Sequence, residues 1–146
     1  MDVEDLDESK GADRAMDRTA VNPATWSVEM GFNQGEVVSG HTRTLYCSGQ
    51  TAMSNGGEPQ HDGDMAAQLA LSVDNLEAVL EEAGMSLANL VRLNVYTTDV
   101  DLLFPHYGVL ASRLGAAGVA PATTMLGVTR LAIPGQMIEL EGTAVG

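Results

Sequence analysis

The chain has 146 residues and a formal net charge of −13, with 20 acidic side chains against seven lysines and arginines. This length suits one domain with a hydrophobic core and is too short for two. An acidic surface repels phosphate backbones, so the composition disfavours nucleic-acid binding, and no apolar run reaches the roughly 20 residues that a membrane span requires.

The N-terminal segment differs in composition from the rest of the chain. Residues 1–21 are polar, acidic and without periodicity, which predicts a disordered tail followed by a single domain over residues 22–146. The segment lacks the basic start and apolar core of a secretory signal, so we predict a cytoplasmic protein. Just after it, Trp26 and Met30 are interpreted as packing residues. Cys47, the single cysteine, is predicted to be a small buried hydrophobe.

Two strands and a loop are predicted first in the folded part. Residues 36–39 and 44–48 have the composition of strands, and the four residues from Gly40 to Arg43 between them are typical of a hairpin turn. Residues 54–59 contain two glycines and a proline and form the clearest loop.

Two helices flank a central strand in the next part of the chain. Asp64 is predicted to cap a helix that runs to Glu82 and is stopped by Gly84. Residues 90–97 alternate apolar and polar side chains, as a half-buried strand does. A second helix is predicted to follow residues 99–101 and to end before Gly115, with Pro105 near its first turn.

The last predicted elements are two strands joined by a turn, at residues 123–128 and 137–145. Glu139 and Glu141 on the second strand have period-two spacing and share a face. The element order β-β-α-β-α-β-β predicts an α+β fold in which two helices cover one face of a mixed sheet. The other face is partly apolar, which predicts a homo-oligomer.

An ordered set of short motifs resembles the RidA/YjgF family, the reactive-intermediate deaminases, often labelled endoribonuclease L-PSP. The resemblance covers roughly residues 28–146. Its parts, in chain order, are Phe32-Asn33-Gln34-Gly35, Ser48-Gly49-Gln50, Ala67-Gln68 through Asn75-Leu76, Val91 through Asp99, Pro121-Ala122-Thr123-Thr124, Arg130-Leu131 and Ile138-Glu139-Leu140-Glu141.

This resemblance implies a chorismate-mutase-like fold assembled as a homotrimer, with a small-molecule ligand in each of three clefts between subunits. Typical members of the family hydrolyse enamines and imines, such as 2-aminoacrylate, to 2-oxo acids and ammonia. They use neither a metal nor an organic cofactor. The acidic composition and the lack of a long apolar run predict no nucleic-acid and no membrane partner.

The family's site residues carry over by position. Glu139 matches the glutamate that helps to place the attacking water, which makes it the candidate catalytic residue. The alternative is that Glu139 lies on a solvated strand face. The candidate substrate-binding residues are Phe32, Ser48, Gly49, Tyr107 and Thr123.

Thr123 is the main departure from the family pattern, because typical members have an arginine there that grips the substrate carboxylate. A threonine offers one hydroxyl and no charge. A hydrogen bond to a charged group contributes about 1.5–3 kcal/mol, so an acidic substrate would bind about ten- to a thousandfold more weakly. The substrate is therefore predicted not to be a standard 2-iminocarboxylate. Alternatively, Thr123 is simply a good strand residue, or one of Arg43, Arg92, Arg113 and Arg130 replaces the missing arginine.

Three functions remain open at this point. The first is a RidA-like hydrolase of enamines or imines. The second is a non-catalytic trimer of the same fold that binds a small ligand or a partner. The third, an endoribonuclease, is disfavoured by the acidic chain. A metal enzyme is not indicated, because the spacing of His41, His61 and His106 does not suit a metal site.

Overall fold

The computed structural model describes residues 16–146 and contains a four-stranded sheet with helices on one face. The sheet has the strand order β3 (Thr44–Tyr46), β6 (Ile138–Val145), β4 (Leu90–Thr97) and β5 (Ala122–Gly127); β4 is antiparallel to β6 and parallel to β5. Short 3₁₀ helices occupy Leu87–Asn89 and Phe104–His106. In chain order the elements are β1 (Asp17–Val21), α1 (Trp26–Glu29), β2 (Gly35–Ser39), β3 (Thr44–Tyr46), α2 (Met65–Glu82), β4 (Leu90–Thr97), α3 (Val100–Leu103), α4 (Gly108–Ala116), β5 (Ala122–Gly127) and β6 (Ile138–Val145).

The long helix α2 has the predicted bounds. The carboxylate of Asp64 accepts a hydrogen bond from the Ala67 N–H (3.0 Å), which satisfies one of the unpaired donors at the helix start. Gly84 follows the end of the helix at a φ of 74°, a left-handed conformation in which glycine has no steric penalty. Leu69 and Leu76 of α2 are fully buried. The capped amphipathic helix predicted from the sequence is confirmed.

The sheet has two faces of different character. Leu93 and Val95 on β4 and the apolar residues of β6 point into the core beneath the helices. The alternate residues form the face away from the helices, called here the open face, and they include Tyr46, which is 78% exposed. The α+β class and the mixed sheet with helices on one face are confirmed.

The predicted hairpin over residues 36–48 is wrong. β2 pairs with β1, not β3, and β3 pairs with β6. Five residues assigned to the disordered tail therefore form a strand, and the ordered chain begins before residue 22. Long-range contacts hold this strand in place. Arg18 donates to the carbonyls of Ala88 and Leu90 and to the carboxylate of Glu36, each at 2.6 Å. Residues 1–15 of the predicted tail lie outside the described part.

The second predicted helix is interrupted. Its residues form α3, the 3₁₀ helix Phe104–His106 and α4. Pro105 has no N–H to donate to a preceding turn, which explains why a continuous α-helix does not pass through it. α4 also ends at Ala116, beyond the predicted limit before Gly115. The interruption turns the side chain of Phe104 away from the core, and this residue is 52% exposed.

Three further features concern the single cysteine, a possible membrane span and a possible metal site. Cys47 is buried, as predicted, and its burial raises the pKa of the thiol. Within residues 16–146, no helix combines the length and the hydrophobicity needed to cross a bilayer. In the same residues, no three His, Cys, Asp or Glu side chains are grouped so that they could hold a metal ion.

Candidate functional site

The six candidate site residues lie in two separate places. Phe32, Tyr107 and Thr123 line one cavity between residues 30–32, α4 and β5, called here the aromatic cavity. Glu139 lies on the open face, with its carboxylate against Gly49. Glu139, Gly49 and the adjoining, exposed Ser48 are called here the Glu139 half-site.

The Glu139 half-site is built on a β-bulge in the chain that follows β3. β3 and β6 pair residue for residue, but Gln50 exchanges two backbone hydrogen bonds with Leu140 (2.7 and 2.9 Å), one residue out of that register. The extra residue falls at Ser48 and Gly49. A bulge bends its strand and re-aims side chains, and bulges are frequent beside active sites.

Gly49 allows the Glu139 carboxylate to lie directly against the backbone of the bulge. A Cβ atom added to Gly49 would lie 1.9 Å from Oε1 of Glu139 and 2.6 Å from its Cδ. Any other residue at this position would therefore push the carboxylate aside. The requirement is steric, since Gly49 does not have a positive φ.

The neighbouring carboxylate, that of Glu141, is held by hydrogen bonds from protein side chains. Glu141 accepts hydrogen bonds from Asn94 (2.9 Å) and from the Tyr96 hydroxyl (3.2 Å). Desolvation and then the hydrogen bond and charge of Glu141 raise the pKa of Tyr96, with a smaller contribution from Glu139. Among residues 16–146, no hydrogen bond is found to the Glu139 carboxylate, which leaves both its oxygens able to hold a water or a ligand. Glu141 is thus a structural residue, and Glu139 is the candidate for chemistry.

The steric role of Gly49 gives a testable prediction. Gly49→Ala places a methyl group where the Glu139 carboxylate lies, so we expect the carboxylate to move by an ångström or more. A misplacement of that size lowers a rate by up to about a hundredfold. For the imine hydrolysis that the family resemblance predicts, we expect kcat to fall about ten- to a hundredfold, with little change in the urea midpoint. Gly56→Ala in the nearby exposed loop, where the nearest atom to an added Cβ is 3.8 Å away, is the matched control.

The aromatic cavity has a volume of about 470 Å³ and a mostly apolar lining. The Trp26 ring packs edge to face against Phe32, with ring centroids 5.8 Å apart and planes at 82°, which fixes the orientation of the Phe32 ring. The residues that line the cavity are Met30, Phe32, Phe104, Tyr107, Gly108, Ala111, Thr123 and Met125.

The polar groups of the aromatic cavity carry no charge. The Thr123 hydroxyl donates to the Pro121 carbonyl (2.7 Å), so its proton is already used within the strand. Burial raises the pKa of Tyr107, which keeps its phenol neutral at ordinary pH. Among residues 16–146, the lining of the cavity therefore has neither a cation nor a donor from Thr123 to hold a carboxylate.

None of the four arginines considered as replacements lines the aromatic cavity. Arg43 donates to the carbonyl of Ala83 (2.7 Å), and Arg92 donates to the Thr124 hydroxyl (2.8 Å) on the open face. Arg113 pairs with two carboxylates of α2. Arg130 lies in the loop before β6, beside a different cavity.

The two places cannot act on one small molecule within a single chain. Thr123 stands opposite Leu93, a core residue, whereas Glu139 stands opposite Tyr96 on the open face. Thr123 and Glu139 therefore lie on opposite faces of the sheet. Their partners on β4 are three residues apart, which is about 10 Å at roughly 3.3 Å per residue. The predicted cleft lies between subunits, and within one chain its candidate residues lie in two separate places.

Several residues near the two places were not predicted. Met30, interpreted as a packing residue, is 52% exposed and lines the aromatic cavity. Met125 shares the cavity face of β5 with Thr123, and the period-two pattern of a strand could have revealed it. Gln136 is buried and binds both backbone groups of Ala52 (2.8 and 3.3 Å), which fixes the chain just beyond the bulge. No local sequence signal indicates that long-range contact.

The four-stranded sheet with helices on one face, and the bulge beside Glu139, are those of a small α+β protein. Comparisons with known proteins identify its family. Residues 24–146 match the family model described as endoribonuclease L-PSP. The chain is 31% identical over 126 residues to the mitochondrial protein mmf2 of Schizosaccharomyces pombe, covering 86% of this chain and 96% of that protein. This chain belongs to the RidA/YjgF family, also called endoribonuclease L-PSP.

Solved structures of family members agree with this assignment. The Rid-family protein YyfB of Yersinia pestis, described as of unknown function, superposes with a TM-score of 0.75 at 34% identity, covering 88% of this chain and 98% of that one. TdcF of Escherichia coli with bound serine superposes with a TM-score of 0.64 at 26% identity, covering 79% and 87%. The cytoplasmic location stays a prediction, and the name of mmf2 places that relative in mitochondria.

Proposed function

We propose that this protein is a RidA-like hydrolase that converts a reactive enamine or imine to a carbonyl product and ammonia. The functional unit is a homotrimer in which the Glu139 half-site of one copy faces the aromatic cavity of the next. The separation of the two places on opposite faces of one sheet supports this arrangement, because a second copy is needed to bring them together. The exposed apolar residues of the open face, including Tyr46, provide surface for that contact.

The carboxylate of Glu139 on the bulge, to which no hydrogen bond is found among residues 16–146, is the main support for this function. Hydrolysis of an imine adds one water across the C=N bond and releases ammonia. Glu139 takes a proton from the attacking water as the new C–O bond forms and passes it to the imine nitrogen, which gives a carbinolamine. It then takes the hydroxyl proton and passes it to the nitrogen as the C=O bond forms and the C–N bond breaks, so both protons of the water leave with the ammonia. Because the imine carbon is already electrophilic, a positioned water and one proton relay are sufficient, and no metal or organic cofactor is required.

The charges near the site indicate which substrates are disfavoured. The TdcF structure contains serine, a ligand with a carboxylate. In the part of the chain that the structure describes, no cation lines the aromatic cavity, and Glu139 of the neighbouring copy would repel a second negative charge. These features support a substrate that is not a standard 2-iminocarboxylate.

The second candidate function is a non-catalytic trimer that binds a small ligand or a partner in the same cleft. Thr123 favours it, because the group that grips the substrate in typical members has been lost. Cleavage of RNA, which the family description suggests, is not favoured by a net charge of −13. In the described chain most arginines are already bonded to carbonyls, hydroxyls or carboxylates, which leaves no basic stripe for a phosphate backbone.

The experiment that tests the proposed function follows ammonia release from 2-aminoacrylate, generated in situ, and from an imine without a carboxylate. We expect the wild-type protein to accelerate only the second. Thr123→Arg is expected to raise the rate with 2-aminoacrylate about tenfold or more, since it supplies a charge-assisted pair. Thr123→Gln, which adds side-chain length at the same position without a charge, is the matched control. No acceleration of any imine by either protein would refute the hydrolase and favour the binding trimer.

A further inference from the structure

The aromatic cavity has the size and composition of a specificity pocket for an apolar group. Its volume of about 470 Å³ lies within the range of small-molecule sites, about 300–1,000 Å³. An apolar cavity of only about 150 Å³ is enough to bind benzene. The aromatic cavity therefore has room for a phenyl group together with the short chain that connects it to a reacting carbon.

The chemistry of the lining suits a ring in particular. Three aromatic side chains, Phe32, Phe104 and Tyr107, and the thioethers of Met30 and Met125 face the same space. Aromatic pairs and sulfur–aromatic contacts stabilise a ring beyond the effect of burial alone. The edge-to-face contact with Trp26 holds the Phe32 ring in place, so part of the pocket is formed before a ligand enters.

Exposed apolar side chains at the cavity also indicate that it binds a ligand. Met30 and Phe104 are each 52% exposed, and large apolar side chains grouped in this way usually bind something. The small residues Gly108 and Ala111 leave the space open from the side of α4, and no atom lies within 4 Å of a Cβ added to Gly108.

We propose that the natural substrate is an imine or enamine without a carboxylate that carries an apolar group about the size of a phenyl ring, and that the aromatic cavity binds this group. This inference rests on the proposed function, because the ring in the cavity of one copy presents the C=N carbon to Glu139 of the next. The neutral lining selects against a carboxylate, and the aromatic and sulfur atoms select for the ring. An upstream oxidation of a primary amine to an imine is the class of reaction that supplies such a substrate.

The test compares four imines that differ in two features. An amino-acid oxidase generates 2-imino acids from phenylalanine and 2-aminobutyrate, and a flavin amine oxidase generates the matching imines without a carboxylate from 2-phenylethylamine and propylamine. Each oxidase transfers two electrons to O₂, and catalase removes the peroxide. The readout is kcat/KM for ammonia release above the spontaneous rate, measured with the wild-type protein.

The expected result is a preference for the imine from 2-phenylethylamine. Burial of the ring should raise kcat/KM about ten- to a hundredfold over the propylamine-derived imine, mostly through a lower KM. Gly108→Phe fills the cavity and is expected to abolish this preference. Gly115→Phe, on the same helix but outside the cavity and equally unobstructed, should leave it unchanged.

The outcomes separate the two proposals. Equal rates for the two imines without a carboxylate, or a higher rate for either imino acid than for its matched imine, would overturn the ring-binding pocket and leave the hydrolase standing. No acceleration of any of the four would overturn the hydrolase itself. If Gly108→Phe disrupts the assembly in size-exclusion chromatography and the ring preference is absent, a side chain of the neighbouring copy occupies the cavity instead.

Discussion

Replacing Glu139 by glutamine is expected to lower kcat for imine hydrolysis by about a hundred- to ten-thousandfold, the usual contribution of a general acid–base group. Glutamine keeps the size and the position of the side chain against Gly49 but cannot accept the proton of the attacking water. Since no hydrogen bond to the Glu139 carboxylate is found in the described chain, its neutralisation removes no structural contact. Stability, measured by urea unfolding, should change by less than about 0.5 kcal/mol.

Glu141→Gln is the control for this change. Glu141 lies two residues further along β6 on the same face, but its carboxylate accepts hydrogen bonds from Asn94 and Tyr96. We therefore expect Glu141→Gln to affect stability more than rate, losing about 1 kcal/mol in unfolding free energy. Equal losses of rate in the two variants would contradict the assignment of different roles to the two carboxylates.

Loss of the ion pair between Arg18 and Glu36, which holds β1, is expected to lower stability strongly. The side chain of Glu36 is only 6% exposed, and Arg18, 19% exposed, pairs with it at 2.6 Å. Arg18 also holds two carbonyls near the start of β4. Arg18→Met leaves a buried carboxylate without its cation, which costs about 3–5 kcal/mol. We expect a loss of that order in the unfolding free energy from urea denaturation at pH 7.

Two further variants control the second prediction. Arg113 pairs with Asp74 and Glu77 at the surface, where an ion pair contributes about 0–1 kcal/mol, so Arg113→Met should be mild. The double change of Arg18→Met with Glu36→Met should recover much of the loss, because it removes the unpaired charge as well. A loss that is no larger for Arg18→Met than for Arg113→Met would show that the buried pair does not hold the N-terminal strand.

Local signals were sufficient for the central elements of the fold. The carboxylate of Asp64 and the glycine at position 84 act within one turn of α2, so the sequence alone indicates both ends of that helix. The failures involve partners distant in sequence. Gly40 gives a turn signal but does not specify which strand pairs with β2, and the partner β1 lacks an apolar alternation that would reveal it.

The candidate site could be predicted residue by residue but not as an arrangement. Period-two spacing fixes relative faces within one strand, as for Glu139 and Glu141, but not between strands. Thr123 and Glu139 belong to β5 and β6, which are separated by β4, and only the register shows that they face opposite sides. The apolar character of the cavity likewise depends on Met30 and Phe104, which come from distant segments.

In the proposed trimer, each site combines the Glu139 half-site of one copy with the aromatic cavity of another. Co-expressing Glu139→Gln and Gly108→Phe chains with different affinity tags, and purifying the assemblies that carry both tags, tests this arrangement. In any mixed trimer, one site joins an intact Glu139 to an intact cavity, so about a third of wild-type activity should return. The measurement is the rate of ammonia release from the imine that the wild-type protein hydrolyses fastest. Mixed assemblies no more active than the Gly108→Phe parent, which keeps only the residual rate without the ring preference, would contradict the shared site.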